Sequence, residues 1–108
     1  MSRSKGDIAE EKAAEWLRSQ GCRIIGRNVY SRFGEIDIVA SREGVLHFVE
    51  VKSGQTFEPV YNITPTKLSR LLRTIESYLK KEGFDMPWQV DAFIVKGDSF
   101  EWIENITM

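Results

Sequence analysis

Four charged residues lie on two neighbouring apolar segments of this 108-residue chain, where charge is not expected. Glu35 and Asp37 belong to the first segment, and Glu50 and Lys52 belong to the second. β-Branched and aromatic residues dominate both segments, and the polar residues 41–44 between them are typical of a turn, so the pattern predicts a β-hairpin. Because side chains alternate between the two faces of a strand, Glu35 shares a face with Asp37, and Glu50 shares one with Lys52.

Charge on such half-buried strands indicates a site. Burying an isolated ion costs roughly several kcal/mol unless the ion is paired or holds a metal. Three carboxylates supply the oxygen ligands that Mg²⁺ or Mn²⁺ prefers. A metal there would polarise a phosphoryl oxygen and activate a water, and a lysine beside it could stabilise the developing charge. The set therefore suits phosphodiester hydrolysis, although Glu-x-Lys by itself is a weak motif that arises by chance in ordinary sequences.

Other chemistries have little support in the sequence. His47 is the only histidine, and its apolar neighbours favour a structural role on a strand over a catalytic one. The chain has no Gly-x-x-x-x-Gly-Lys-Ser/Thr or Gly-x-Gly-x-x-Gly loop and no nucleophile elbow, so nucleotide-binding enzymes and serine hydrolases have no support. Cys22 is the only cysteine, which excludes an intramolecular disulfide and a cysteine zinc site and predicts a reducing, cytoplasmic location.

Length and composition predict a single domain over residues 1–108, because a chain of this size with 42% hydrophobic residues can build one core only. The net charge of −1 is too small for a basic nucleic-acid coat, but Lys and Arg concentrate in the first two thirds of the chain. The N-terminus lacks the apolar core of a signal peptide, and no apolar run approaches the roughly eighteen residues of a membrane span. We therefore expect no membrane partner.

Hydrophobic periodicity and breaker residues predict an α/β fold in the order α-β-β-β-α-β-β, with helices flanking a mixed sheet. Ser4 or Asp7 is the capping candidate of the first helix, and Thr64 followed by Pro65 is a strong start signal for the second. The predicted elements are a helix from 7 to about 20 that Gly21 ends, a strand at 22–30 with a bulge at Gly26, a hairpin at 34–52, a loop at 54–61, a helix from 65 to Gly83, and strands at 88–95 and 100–103.

Glu10 is a charged residue of the first helix that lies close to the apolar stripe. At 100° per residue it falls within about 60° of Ala13, Ala14 and Leu17, the face expected to pack on the sheet. It could therefore point towards the sheet, or it could lie on the border of the stripe in solvent, which is the commoner situation for a single glutamate.

The second helix carries basic residues around its apolar stripe. Lys67 flanks the stripe and can reach the edge of the sheet, whereas Arg70 and Arg73 point away from it. The periodicity leaves open whether these arginines form an ordinary solvated surface or contact phosphate groups.

Asp37 on one strand, followed by Glu50-Val51-Lys52 on the next, resembles the signature of the PD-(D/E)XK nuclease superfamily. The chain is still more similar to the YraN-like family of small bacterial proteins, which are predicted nucleases similar to archaeal Holliday junction resolvases. The resemblance covers nearly the whole chain, and its most specific part is Gly-Glu-Ile-Asp at 34–37 with Phe-Val-Glu-Val-Lys at 48–52. The other matching residues are Lys5, Gly6, Glu10, Ala13, Arg27, Asn28, Lys67 and Asp91.

The resemblance implies a restriction-endonuclease-like fold and a DNA endonuclease that depends on Mg²⁺ or Mn²⁺, with selectivity for branched DNA as an option. It implies Asp37 and Glu50 as metal ligands and Lys52 as the catalytic lysine. It also implies Glu10 as a further catalytic and metal-binding carboxylate. Glu35 is an additional candidate metal ligand whose role is open, and the role of Asp91 is open as well. DNA is the expected partner, and assembly into a homodimer is open.

Phosphate contacts are expected from basic residues of both helices and of the first strand. Tyr30 and Gly54 stand where the family commonly has arginine, a departure that bears on phosphate contacts and not on the metal site. The alternative function is a nucleic-acid-binding or protein-interaction module that keeps the site but cuts little by itself. The near-neutral charge favours the module, and the intact acids and lysine favour the enzyme. The expected nucleic-acid contacts are Lys67, Arg70, Arg73, Arg27, Arg32 and Lys5.

Overall fold

The computed structural model describes residues 5–53 and 64–107, and for Lys5 and Gly6 it describes the backbone only. Its order of helix, three strands, helix and two strands confirms the predicted order. The expected loop at 54–61 lies outside the described residues. The elements are α1 (Lys5–Ser19), β1 (Arg23–Ser31), β2 (Gly34–Arg42), β3 (Val45–Ser53), α2 (Pro65–Glu82), β4 (Trp88–Lys96) and β5 (Ser99–Ile103).

The five strands form one mixed sheet in the order β1-β2-β3-β4-β5. β2 is antiparallel to both β1 and β3, β3 is parallel to β4, and β5 returns antiparallel to β4. Two neighbouring parallel strands need a long crossover connection, and α2 lies in the one between β3 and β4. A mixed sheet with a hydrophobic cluster and a helix on each face is consistent with a restriction-endonuclease-like fold.

α1 packs on one face of the sheet through a stripe of small residues. Ala13, Ala14 and Leu17 are fully buried at helical spacing, and the two alanines let the helix approach the strands closely. Asp7 lies inside the first turn of α1, so the prediction of Asp7 as the capping residue is wrong. The other capping candidate, Ser4, lies outside the described residues.

α2 packs on the opposite face and begins and ends as predicted. Thr64 is the N-cap, and its hydroxyl oxygen accepts a hydrogen bond of 3.2 Å from the Lys67 N–H. Gly83 ends the helix in a left-handed conformation with φ of 72°. Leu71 and Ile75 of the predicted stripe are buried against the sheet. Neither helix of the described ranges is long and apolar enough to cross a membrane.

Two local features set the geometry of the strands. The register of β1 against β2 shifts between Ile24 and Gly26, which confirms the bulge that Gly26 predicts. The turn between β2 and β3 consists of Glu43 and Gly44, with φ values of 52° and 80°, which is the chemistry of a tight two-residue hairpin. The hairpin is longer than the polar segment 41–44 predicts, because the first two of those residues continue the ladder.

Candidate metal and phosphate site

The candidate site begins where β2 and β3 separate. Their ladder ends at the pair Ile38 and Val49, and past this pair the side chain of Asp37 reaches across to β3. Asp37 Oδ2 accepts a hydrogen bond of 2.8 Å from the backbone N–H of Val51. Past the end of the ladder, the Val51 N–H has no backbone acceptor on β2, and the Asp37 carboxylate accepts its hydrogen bond instead. It also fixes the segment of β3 that carries the Glu-x-Lys motif.

α1 brings Glu10 to the same end of the sheet. The Glu10 side chain is 13% exposed. The periodicity allowed either a position directed at the sheet or a position in solvent, and the structure has the former. Arg27 Nη2 of β1 lies 4.0 Å from Glu10 Oε1, and Arg27 Nη1 donates a 2.8 Å hydrogen bond to Glu11 Oε2. This guanidinium group is thus paired with acids of α1, which leaves little of its charge for the phosphate contact expected of Arg27.

Asn28 joins the acids of α1 and β2. In the amide orientation that satisfies both carboxylates, Asn28 Nδ2 lies 3.0 Å from Glu10 Oε1 and 2.9 Å from Glu35 Oε1. Asn28 has a φ of 51°, a left-handed conformation that asparagine tolerates better than most residues. Two carboxylates from different elements therefore share one amide donor.

Glu50 is a strongly perturbed member of this acid group. Its Oε1 is buried and has no hydrogen-bond partner among residues 5–53 and 64–107. Burial and the nearby charge of Asp37 raise the pKa of Glu50 to about 8, with further increases from Glu35 and Glu10 and partial compensation from Lys52. Such a carboxyl group is largely protonated at neutral pH, and a bound cation would favour its ionised form.

The other three carboxyl groups shift in the same direction. Burial raises the pKa of Asp37, although the hydrogen bond from the Val51 N–H opposes the change. Burial and the charge of Asp37 raise the pKa of Glu10, with Arg27 opposing, and the same two causes raise the pKa of Glu35. Four acids from α1, β2 and β3 therefore repel one another. Within the described residues their carboxylate oxygens do not form a group with metal-ligand spacing, unlike those of a second polar group described below, so a cation at this site would have to draw them closer.

A cavity of about 280 Å³ opens beside the acids on the α2 side of the sheet. Glu35, Glu50 and Lys52 line it from β2 and β3, and Lys67 and Arg70 line it from α2. Lys67 thus lies on the side of α2 that faces the cavity, in line with its place beside the apolar stripe. The remaining two acids belong to the group through the shared amide and the bond across the fork, and they do not line the cavity.

Arg70 lies closer to the cavity than the apolar periodicity of α2 predicts. Arg70 is exposed, as predicted for a residue off the apolar stripe, and it also lines the cavity, because the buried stripe of α2 includes the polar residue Thr74 as well as the apolar ones. Arg70 lies one turn before Thr74 on the same side of the helix, so it borders the buried stripe while remaining exposed.

Two other expected phosphate contacts meet at an aromatic ring. The guanidinium carbons of Arg32 and Arg73 lie 4.9 Å and 5.3 Å from the centroid of the Phe33 ring. Both arginines are exposed. The last expected contact, Lys5, has a side chain outside the described residues.

His47, Asp91 and Glu104 form a second polar group, whose ligand atoms lie within 4.8 Å of one another and could hold a metal ion. Both oxygens of the fully buried Asp91 already accept hydrogen bonds, two each. The donors are His47 Nδ1 at 2.6 Å and Trp102 Nε1 at 3.0 Å to Oδ2, and Gln89 Nε2 at 2.9 Å and the Asn105 N–H at 2.9 Å to Oδ1. A metal ion would have to displace these donors.

The ionisation of Asp91 supports a structural role for this second group. Burial alone would raise the pKa of Asp91, but hydrogen bonds from His47, Asn105 and Gln89 outweigh it and hold the pKa below its ordinary value. Asp91 is therefore an ionised carboxylate that organises its surroundings, and His47 Nδ1 carries the proton that it accepts. This arrangement agrees with the structural role predicted for His47.

Sequence reasoning missed two residues of the first site. The sequence indicates Asn28 only as part of a matching motif, and the signal for its role is an asparagine near a bulge, where a left-handed conformation is tolerated. Phe33 belongs to no motif, and its signal is an aromatic residue between Arg32 and a glycine in a short connection, which is unusual on a solvated turn.

Comparison with known proteins identifies close relatives over the full length. A family model described as "Uncharacterised protein family UPF0102" matches residues 9–95. UPF0102 protein WS0451 of Wolinella succinogenes is 56% identical over 108 residues, which is 100% of both chains. UPF0102 proteins of Helicobacter pylori strain HPAG1 and of Helicobacter hepaticus are 50% and 48% identical, over 97% and 99% of this chain and 92% and 97% of their own. The matched range includes every acid of the first site.

Proposed function

This chain belongs to the UPF0102 family, the YraN-like group that its motifs resemble, and from that premise we propose that it is a DNA endonuclease dependent on Mg²⁺ or Mn²⁺. One observation supports this proposal above all. The Glu50 carboxyl group has a buried oxygen without a partner in the described chain and a pKa raised to about 8, and it lies beside Lys52 among three further acids. A carboxylate kept only for folding would have its oxygens hydrogen-bonded. Oxygen ligands of this kind suit a hard divalent cation.

The roles of the acids follow from their contacts. Asp37 and Glu50 are the proposed metal ligands. Asp37 Oδ2 accepts the hydrogen bond from the Val51 N–H, so Oδ1 is the oxygen that would bind a cation. Glu10 and Glu35, held together by a shared amide, add negative charge beside them. The metal, when bound, supplies polarisation of a phosphoryl oxygen and a water of lowered pKa.

Lys52 has the position of a group that acts on the phosphate. It is exposed and lines the cavity with Glu50, so a phosphodiester that enters the cavity meets both side chains. An ammonium group there stabilises the negative charge that develops on the phosphoryl oxygens during attack. This role needs the charge of Lys52 and not a particular hydrogen-bond partner within the protein.

The α2 wall of the cavity favours a polyanionic substrate. Lys67 and Arg70 face the acids from this wall, and within the described ranges neither has a carboxylate oxygen within 4.0 Å. The first turn of α2 contains no acidic residue, so the positive end of the helix dipole adds to the same potential. Phosphate groups that release counterions on binding to such a wall give an affinity that falls steeply with salt.

Cleavage of end-labelled single-stranded, duplex and four-way branched DNA by the purified protein tests the proposal. We expect cleavage with Mg²⁺ or Mn²⁺, none with EDTA, and none by Asp37→Asn or Glu50→Gln prepared in the same way. Glu101→Gln, which changes an exposed acid of β5, is the matched control and should cut like the parent. Activity that persists in Glu50→Gln would indicate a contaminating nuclease, and no cleavage of any substrate with either metal would reject the proposal.

A second candidate is a nucleic-acid-binding or protein-interaction module with little activity of its own. The observation that favours it is the net charge of −1, which is small for a protein that must hold a polyanion through repeated turnover. The same samples separate the two functions, because a module would bind DNA and respond to Mg²⁺ in a thermal melt without producing cleaved strands.

A further inference from the structure

Phe33 lies between two cavities, in the short connection from β1 to β2. It lines the cavity that contains Glu50, and it also lines a second cavity of about 430 Å³ that begins at the first turn of α2. Among the described residues, Arg70 is the other one that borders both cavities. None of the described residues that line the second cavity is acidic. An aromatic ring therefore marks the boundary between the acid site and a basic surface. The lining residues of the second cavity are Phe33, Pro65, Thr66, Ser69, Arg70 and Arg73.

Two cations meet at the Phe33 ring without being neutralised. Arg32 comes from the β1–β2 connection and Arg73 from α2, and their guanidinium carbons lie 4.9 Å and 5.3 Å from the ring centroid. In residues 5–53 and 64–107, neither guanidinium group has a carboxylate oxygen within 4.0 Å. Attraction to the ring thus holds two like charges on one small surface, and an anionic ligand is what would balance them.

A chain of hydrogen bonds fixes this arrangement. The Phe33 N–H donates to Ser31 Oγ at 3.0 Å, and Ser31 Oγ lies 2.8 Å from Thr74 Oγ1 of α2. Thr74 Oγ1 donates to the Arg70 carbonyl oxygen at 3.0 Å, so the Ser31 hydroxyl supplies the proton between the two side chains. The connection that carries Phe33 is therefore tied to the turn of α2 that carries Arg70 and Arg73. The backbone at Phe33 is therefore held in place before a ligand binds, which lowers the entropy cost of binding.

We infer that the Arg32–Phe33–Arg73 group binds an unpaired nucleotide of the strand that enters the acid cavity. The substrate class is then DNA with a single-stranded segment beside the bond that is cut. Aromatic rings and planar guanidinium groups stack on bases, and a base offers its face only when it is not stacked in a duplex. The guanidinium groups also match the geometry of phosphate oxygens. This inference rests on the proposed function in one respect, namely that a DNA strand enters the cavity that contains Glu50.

Binding measured in EDTA tests the inference without any cleavage. The probes are a short labelled oligothymidylate and a labelled blunt duplex of the same length. Fluorescence anisotropy measures the affinity of the protein for each probe at one fixed salt concentration. Phe33→Leu keeps an apolar side chain and removes the ring, and Arg73→Gln removes one cation from the exposed surface. The matched controls are Phe100→Leu, a phenylalanine of β5 that is 43% exposed, and Arg18→Gln at the exposed end of α1.

We expect Phe33→Leu to weaken oligothymidylate binding by about five-fold or more, because the guanidinium groups that stack on the base lose the ring that holds them, and to leave duplex binding unchanged. Arg73→Gln should weaken the single strand more than the duplex, and both controls should bind like the parent. Unchanged single-strand affinity in Phe33→Leu, or equal losses on both probes, would overturn the inference. If Phe33→Leu melts far below the parent, Arg73→Gln supplies the same comparison from a surface position.

The outcome is distinguishable from that of the cleavage test. Binding that depends on Phe33 in a protein that never cuts would reject the endonuclease and retain this nucleotide site. Cleavage that proceeds equally well on blunt duplex, with binding indifferent to Phe33, would retain the endonuclease and reject the nucleotide site.

Discussion

Asp37 and Val51 are joined across the fork of the central hairpin, where Asp37 Oδ2 accepts a 2.8 Å hydrogen bond from the Val51 N–H. Val51 is the middle residue of Glu50-Val51-Lys52, so one bond sets the position of both motif side chains relative to the acid of β2. Asp37 therefore combines a structural bond with a proposed metal ligand, and different substitutions separate these two roles.

Asp37→Asn should keep the fold and lose the response to metal. The amide oxygen can still accept the Val51 hydrogen bond, and removing a charge that burial already disfavours should leave stability equal or higher. Asp37→Ala removes the acceptor and should cost roughly 1–3 kcal/mol for the unpaired N–H. Urea unfolding and thermal melts with and without Mg²⁺ check both variants. A rise in melting temperature with Mg²⁺ as large as the parent's in Asp37→Asn would contradict the assignment.

The metal-free protein should lose stability as pH rises from about 5 to about 8. Glu50 has a pKa of about 8 in the folded protein and an ordinary value of 4.5, so between these values the folded state binds more protons than the unfolded state. The free energy of unfolding therefore falls with rising pH, with a slope from this one group on the order of 1 kcal/mol per pH unit at most. Glu50→Gln has no group that titrates at this position. Its free energy of unfolding, measured with urea at each pH, should therefore change less with pH and should exceed that of the parent at high pH.

Metal binding should release protons, because a cation favours the ionised form of Glu50. Titration calorimetry with Mg²⁺ near neutral pH, in two buffers with different ionisation enthalpies, measures the number released. Asp91→Asn, which leaves the first site intact, is the matched control and should release as many protons as the parent. A heat of binding that is the same in both buffers would contradict the assignment of Glu50 as a ligand.

Lys52→Ala should cut poorly and otherwise resemble the parent. Lys52 is exposed, and among the described residues no carboxylate oxygen lies within 4.0 Å of its ammonium group, so the substitution leaves no ion pair broken. Loss of a donor needed mainly in the transition state should slow cleavage by about 10²-fold with little change in DNA affinity. Lys96→Ala at the exposed end of β4 is the control. Lower stability with unchanged cleavage per folded molecule would instead make Lys52 a structural partner of Glu50.

Asn28→Asp should make the metal-free protein depend on Mg²⁺ for stability. The substitution replaces the amide that Glu10 and Glu35 share by a further negative charge, while aspartate tolerates the φ of 51° as asparagine does. We expect a loss of roughly 1–3 kcal/mol without metal and recovery when Mg²⁺ is added. Asn28→Gly, which accepts the same backbone conformation, removes the donor without adding charge and should show a smaller loss. Equal losses that Mg²⁺ does not reverse would place Asn28 outside the metal site.

The parts of the site that lie on regular elements could be predicted from the sequence. Strand alternation puts Glu50 and Lys52 on one face, and helix periodicity puts Lys67 on the side of α2 that faces the cavity, because both are local properties of the backbone. The position of Arg70 beside the cavity does not follow from the apolar stripe, because Thr74 belongs to the buried face and a buried threonine has no signature in hydrophobicity.

The parts of the site that depend on tertiary contacts could not be predicted. Asn28 acts through a left-handed conformation beside two acids from other elements, and no periodicity encodes that meeting. The raised pKa of Glu50 depends on burial and on charges that are distant in the chain. Phe33 matters because α2 brings Arg73 to it, which only the packing of the helix determines.

Asp91→Asn should destabilise the protein and leave the first site unaffected. Each carboxylate oxygen of Asp91 accepts two hydrogen bonds, so an amide nitrogen meets donors whichever way the side chain turns, and the loss should be roughly 1.5–3 kcal/mol. The pKa of Asp91 lies below its ordinary value of 3.8, so its contribution is present above that pH and is lost as the pH falls through the folded pKa. The difference between parent and variant in urea unfolding should therefore be constant near neutral pH and shrink in acid.

Thermal melts with Mg²⁺ then decide which acid group holds the metal. The His47, Asp91 and Glu104 group has its central carboxylate fully hydrogen-bonded, whereas Glu50 has an oxygen without a partner in the described chain. We therefore expect Asp91→Asn to show the same rise in melting temperature with Mg²⁺ as the parent, although its melting temperature without metal is lower. If Asp91→Asn abolishes the rise and Asp37→Asn retains it, the metal belongs to the histidine group, and the acids at the fork of β2 and β3 serve another purpose.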